Sequence, residues 1–289
     1  MTDTPGAGSG GDPGGSLDPR VLARYQTYDE DARLWRPGLG DLVRLRTWDI
    51  LDRYLPPGGR VLDVGGGPGA HAAYLAGRGD AVTLVDPVLR HVEQAAARAR
   101  RGSAPFGTCL GEATHLAAPA SSADGVLLMG PLYHLVDRAD RLAALAEARR
   151  VLRPGGRLIA EVISRHGWIL DATVKGLMGS EAVRADAERS AATGLSQDPA
   201  TVEPGSFWAY FHRIDELTGE LAEAGFADVC LVAVEGFAWL LGDLERRMSE
   251  PRAILEAVRM TEREPSMLGC SAHVVAIATR PPRPGGVQS

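Results

Sequence analysis

Two hydrophobic rhythms divide the chain. Up to residue 55 the apolar positions recur at helical spacing, so residues 18–36 and 41–55 read as helices; in the second, Leu42, Leu45, Trp48, Leu51 and Leu55 share one face, and Pro56-Pro57-Gly58-Gly59 ends it. From residue 60 short apolar runs alternate with amphipathic stretches. Strands are expected at 60–64, 81–86, 106–110, 124–129 and 157–163, with helices starting at His71, spanning about 88–101, and spanning 138–152 before Pro154-Gly155-Gly156. The alternation lapses over 165–206, which reads as two short helices and a loop. It resumes with a helix at 214–224, a strand at 228–234, a helix at 243–263 and a last strand at 273–279. Strand–helix alternation of this kind predicts an α/β fold with a parallel sheet and crossover helices.

Composition marks the ends. Residues 1–17 are mostly Gly, Pro, Ser and Asp, and residues 281–289 are similar, so both are expected to be disordered tails. Between them the reading is an N-terminal helical cap (18–55) and one main domain (56–280) carrying a helical lid insertion (165–210). The chain of 289 residues has a net charge of −6, which gives no electrostatic footprint for nucleic acid. The basic run 98–101 reads as the last turn of a helix. Three cysteines without a C-x-x-C fit a reducing cytoplasm, and no apolar stretch is long enough to span a membrane. The His and Cys residues show no metal-ligand spacing, so no metal is expected.

Candidate chemistry clusters after the strands. In VLDVGGGPG (61–69) a buried strand must turn sharply into a helix. Gly65, Gly67 and Ala70 also satisfy the dinucleotide fingerprint, so the loop alone does not separate a nicotinamide enzyme from other nucleotide-type folds. Asp63, two residues before the first glycine, can face a ligand's ammonium. Asp86, ending the second strand, can accept from both hydroxyls of a ribose or cap the next helix. After the third strand, Glu112 can accept an adenine amino group and Ala113 can offer its backbone. After the fourth, Met129-Gly130-Pro131-Leu132-Tyr133-His134-Leu135 lies where open α/β sheets bind ligands. Tyr133 and His134 are the candidate catalytic residues there, His134 as a general base or as a buried orienting residue.

Taken together these motifs resemble those of class I S-adenosylmethionine-dependent methyltransferases: VLDVGGGPG their first glycine motif, TLVDP their acidic second motif, and EARRVLRPGGRL the helix and turn before their fifth strand. GPLYHL, with Asp31-Ala32-Arg33-Leu34 and Arg46-Thr47, is similar to a bacterial subgroup with small-molecule acceptors. The resemblance implies a Rossmann-like, mostly parallel seven-stranded sheet whose last strand is antiparallel and inserted beside the fifth. It also implies S-adenosylmethionine as cofactor, held at Gly65, Gly67, Asp86, Pro87, Glu112, Ala113 and Met129, with Asp63 beside them and Tyr28, Arg33 and Arg46 contributing from the cap. The loop after the fourth strand lacks the Asn/Asp-Pro-Pro-Tyr pattern of enzymes that methylate nucleobase amines, which argues against a nucleic-acid partner.

The acceptor side is expected in the cap and the 165–210 insertion, where Tyr25, Tyr28, Trp35, Trp168, Phe207, Trp208, Tyr210 and Phe211 cluster, with Phe237, Trp239, His166 and His212 nearby. Such side chains suit a flat, partly polar ligand such as an indole or phenol, or simply pack the lid onto the sheet. The expected function is methylation of a small molecule, in specialised metabolism; the acceptor, the methylated atom and a homodimeric state stay open. The alternatives are a nicotinamide-dependent oxidoreductase and a non-catalytic cofactor-binding protein.

Overall fold

The computed structural model describes residues 17–196 and 208–282. The expected tails lie outside that range except for Leu17, Pro281 and Pro282, as does Phe207.

Seven strands form one sheet: β1 (Arg60–Val64), β2 (Ala81–Asp86), β3 (Gly107–Leu110), β4 (Ala123–Met129), β5 (Leu152–Ile163), β6 (Ala227–Ala233) and β7 (His273–Thr279). Their order is β3-β2-β1-β4-β5-β7-β6; only β7 runs antiparallel to its neighbours. This is the Rossmann-like sheet expected from the motifs. Its central strands are nearly continuous in apolar residues because helices cover both faces. On one face Leu62, Val126, Leu128, Leu158 and Ala160 pack with Leu145 and Ala148 of α7 (Arg138–Val151) and Leu217 and Leu221 of α10 (Ile214–Glu223). On the other, Val61, Leu84, Leu127, Ile159 and Val275 pack with Ile50 and Leu51 of α3 (Leu39–Tyr54), Leu75 of α4 (Ala70–Gly77) and Ala95 of α5 (Leu89–Arg101). Each fully buried Leu, Ile or Val among them contributes about 1.5–3 kcal/mol.

Departures from the expected elements have local causes. The cap's first helix divides into α1 (Pro19–Thr27) and α2 (Glu30–Arg33), because Asp29 turns its carboxylate onto the Ala32 N–H and starts a new helix. The helix expected at 243–263 divides into α11 (Leu244–Arg247) and α12 (Arg252–Thr261), since Pro251 has no N–H to continue the ladder. Strand β5 begins at Leu152, which pairs with Ala123 before the Pro-Gly-Gly turn; the main pairing resumes at Arg157. The insertion holds α8 (Gly167–Val174), α9 (Glu181–Thr193) and a short antiparallel pairing of Leu195 with Tyr210 and Ser196 with Ala209.

Arg46 is fully buried and committed to structure. It pairs with Glu262 (2.5 Å) and Asp49 (2.6 Å) and donates to the Val234 and Ala233 carbonyls, pinning α3 beneath the end of β6. Removing one partner of such a buried pair costs about 3–5 kcal/mol.

Candidate functional site

The strand-to-helix turn after β1 shapes one end of a cavity above the carboxyl edge of the sheet. Gly65 (φ +71°) donates to the Val85 carbonyl at 2.7 Å, and a Cβ built on it would fall 2.7 Å from the Pro131 ring. Gly67 (φ +54°) keeps open space above it, with only Glu30 within reach at 3.8 Å. These two positions need glycine for backbone conformation, and the second leaves its backbone approachable by a ligand.

Asp86 braces the turn. One carboxylate oxygen accepts from Gly67 N–H at 2.8 Å, the other from Val88 N–H at 2.9 Å, so Asp86 has a place in the cavity wall, while the cap of α5 falls on Val88 with no side-chain cap bond. Carboxylate oxygens accept more than one bond, which leaves capacity for hydroxyls of a ligand. His91 places Nδ1 3.2 Å from Asp86, and its Nε2 is buried without a protein partner. His71, also in the wall, has a buried Nδ1 without a partner, and burial pushes its pKa down to about 4.

At the opposite end, Gly130 (φ +151°) swings the chain into the short helix α6 (Pro131–His134). That turn buries Tyr133 and His134 against the cavity. Burial is the main cause holding His134 near pKa 3, helped by the charges of Arg24 and Arg33, so the ring is neutral. From the cap, Arg33 enters the wall and pairs with Glu30 at 2.6 Å. Burial works against the Arg33 charge, but Glu30 outweighs it and the pKa is raised.

The cavity thus brings together Arg33, Gly65, Gly67, Asp86, Pro87, Glu112, Ala113, Met129, Tyr133 and His134. Three expected members are not in its wall. Arg46 is locked in the Glu262 network. Tyr28 lies under the Arg24 guanidinium (4.4 Å to the ring centre), its carbonyl bonded by Arg90. Asp63 is fully buried below the loop: a Cβ on Gly66 would fall 2.7 Å from its carboxylate, and burial, with the charge of Asp86, raises its pKa to about 7 against a hydrogen bond from the Ala72 backbone.

Sequence reasoning missed His71 and His91. Their signal was positional, since His71 sits in the first turn after the glycine loop and His91 in the first turn of α5, beside Asp86. Of the aromatic acceptor-side set, Tyr25 lines the cavity. Tyr210 lies under Arg141 (3.8 Å), and Trp239 Nε1 donates to the Cys270 carbonyl (2.8 Å). His212 faces Glu220 at 3.3 Å. All three are part of the packing.

The glycine cradle, the buried carboxylate and the orphaned imidazole nitrogens suit a nucleoside-bearing ligand. Among the described residues no group of His, Cys, Asp and Glu could hold a metal ion, and no helix is long and apolar enough to cross a membrane.

Comparison with known proteins gives the same direction. Residues 61–156 match the family described as a methyltransferase domain. An S-adenosyl-L-methionine-dependent Diels–Alderase of Talaromyces variabilis is 37% identical over 38% of this chain and 38% of its own length. A ubiquinone biosynthesis O-methyltransferase of Methylocella silvestris is 32% identical over 52% of this chain and 65% of its own. A tRNA U34 carboxymethyltransferase of Trichlorobacter lovleyi is 32% identical over 58% of this chain and 54% of its own. The chain therefore spans between about two fifths and two thirds of these relatives. Among solved structures, a SAM-dependent methyltransferase of Methanosarcina mazei is 21% identical with a TM-score of 0.56, covering 81% of this chain and 97% of that one. The 1,6-didemethyltoxoflavin-N1-methyltransferase of Burkholderia thailandensis, solved with bound 1,6-didemethyltoxoflavin and S-adenosylhomocysteine, is 21% identical with a TM-score of 0.54, covering 90% of this chain and 88% of that one.

Proposed function

We propose, from the premise that residues 61–156 are a methyltransferase domain in the fold of the S-adenosylmethionine-dependent methyltransferases, that this chain transfers the methyl group of S-adenosylmethionine to a small molecule. The observation that carries the reading is that one cavity joins the Gly65–Gly67 cradle and Asp86 to Tyr133 and His134. It offers a nucleoside subsite at one end and an aromatic and imidazole-lined space at the other.

The bound sulfonium supplies an activated methyl group, so the protein's work is positioning and proton handling. Gly65 and Gly67 allow close backbone approach. Asp86 and His91 receive the ribose, Glu112 and Ala113 the adenine, and Arg33 the amino-acid carboxylate. Met129, Tyr133 and His134 surround the reacting end. A neutral His134 does not repel a sulfonium, and as general base it takes the acceptor's proton as methylation acidifies it, because burial leaves the ring itself a weak base. An aromatic acceptor, an indole or phenol, suits the lining. The net charge of −6 disfavours a polyanionic acceptor. Free Cys109, Cys230 and Cys270 suit a reducing cytoplasm.

Two relatives favour other readings: a tRNA enzyme and a Diels–Alderase that uses the same cofactor. Incubation with methyl-tritiated S-adenosylmethionine separates them, using a small-molecule extract of the source cells and bulk tRNA as acceptors. Label in the small-molecule fraction, with S-adenosylhomocysteine formed, is the expected result. Label in tRNA, or cofactor bound without any methyl transfer, overturns the proposal.

A further inference from the structure

We propose that Tyr25, delivered by α1, is the residue that meets the acceptor, and that Tyr25 and His134 accept its proton as a pair. The inference rests on the methyl-transfer reading above.

Tyr25 Oη lies 2.9 Å from His134 Nε2, and the rings meet edge-on at 5.4 Å and 89°. Tyr25 also sets its edge against His91, at 5.1 Å, and both Tyr25 and His134 line the cavity. A hydrogen bond to the Trp208 backbone favours protonation of the His134 ring, as a bond donated by the ring does. In the proposed pair the neutral ring is the tautomer whose Nε2 accepts the phenol O–H at 2.9 Å. The lone pair a general base needs is thus already taken by Tyr25. An acceptor reaches it through the phenol oxygen, which keeps lone pairs of its own.

The step balances. As the acceptor's X–C bond forms, the C–S bond breaks and leaves its electron pair on sulfur. The X–H proton passes to Tyr25 Oη while the Tyr25 proton passes to His134 Nε2. One positive charge sits in the cavity before transfer, on sulfur, and one after, on the imidazolium. Arg24, Arg33 and His91 face His134 and, with burial, keep it neutral while the sulfonium is present; loss of the sulfonium charge removes one repulsion at the moment the proton arrives.

The test uses the full chain labelled with 15N-histidine. In the unmodified protein the His134 protonation midpoint should lie at least about one pH unit higher with S-adenosylhomocysteine bound than with S-adenosylmethionine bound. Tyr25→Phe should shift the His134 Nε2 resonance in both complexes. With the tritium-accepting fraction as substrate it should lower kcat at least about tenfold while KM for S-adenosylmethionine stays within about twofold. Equal midpoints in the two complexes, an unmoved resonance or a near-native rate overturns the pair. Calorimetry of the same samples keeps the two ideas apart. If neither cofactor form binds, the methyl-transfer reading fails and takes this inference with it. Binding with a silent His134 sinks the pair alone.

Discussion

At the residue scale, Asp63 is the most exposed to test. Its carboxylate is fully buried, faces no cation, and burial lifts its pKa to about 7 from 3.8. The raised value means the folded state keeps the proton over a range where the unfolded chain releases it. Stability is therefore lost as pH rises from about 4 through 7. Asp63→Asn removes that cost, so its melting temperature should exceed the parent's at pH 8, and the gain should shrink towards pH 4. At ~1.4 kcal/mol per pKa unit the effect is a few kcal/mol at most. A pH-independent difference between the two proteins would show that Asp63 does not titrate in this range. The motif told which residue types gather here but not how they divide. Asp86 and Asp63 both precede turns in the sequence, yet one braces two backbone N–H groups in the cavity wall and the other lies underneath. That distinction depends on where the glycine loop folds back. Arg46 illustrates the same limit: besides Asp49, its partners, Glu262 and the Ala233 and Val234 carbonyls, are 187 to 216 residues away, and no local pattern announces them.

At the element scale, the strands and the crossover helices were legible because buried parallel strands are uniformly apolar and helices show a period of 3.6. Helix interruptions at Asp29 and Pro251 were less legible, since apolar spacing continues across both. The role of α1 was visible only in outline, as part of a cap. It is held over the cavity by Arg90 of α5, whose guanidinium donates to the carbonyls of Gln26 (3.0 Å) and Tyr28 (3.1 Å) at the end of the helix, and by Arg20 stacked on Trp208 at 3.9 Å. A charged donor to a carbonyl is worth ~1.5–3 kcal/mol. Arg90→Ala should thus raise amide exchange across 19–27 by about tenfold or more while α3 stays protected. In the parent protein, S-adenosylhomocysteine should slow exchange in the same segment, and the variant should lose most of that response. Unchanged exchange at 19–27 in the variant would mean that α1 is anchored elsewhere.

At the scale of the whole molecule, the sheet places the cofactor-side residues of the cavity wall at one edge, with Asp63, Tyr28 and Arg46 outside that wall. Parallel strands β1, β2 and β4 all end there, and each ends in a turn that carries chemistry: Gly65–Gly67, Asp86, and Gly130 into His134. The antiparallel β7 fills the sheet between β5 and β6, away from that edge of the site. What the sequence left open, and the fold resolves in part, is how the cap completes the cavity, with Arg33 and Tyr25 entering from helices that precede the domain. The central claim is that this edge holds S-adenosylmethionine rather than a nicotinamide. Calorimetric titration of the purified chain with S-adenosylhomocysteine and with NAD, repeated on Asp86→Ala, tests it most directly. One S-adenosylhomocysteine should bind per chain and NAD should not. Asp86→Ala should weaken the binding at least about tenfold, the loss of charged hydrogen bonds worth ~1.5–3 kcal/mol. Binding of NAD, or unaltered S-adenosylhomocysteine affinity in a folded Asp86→Ala protein, would contradict the account.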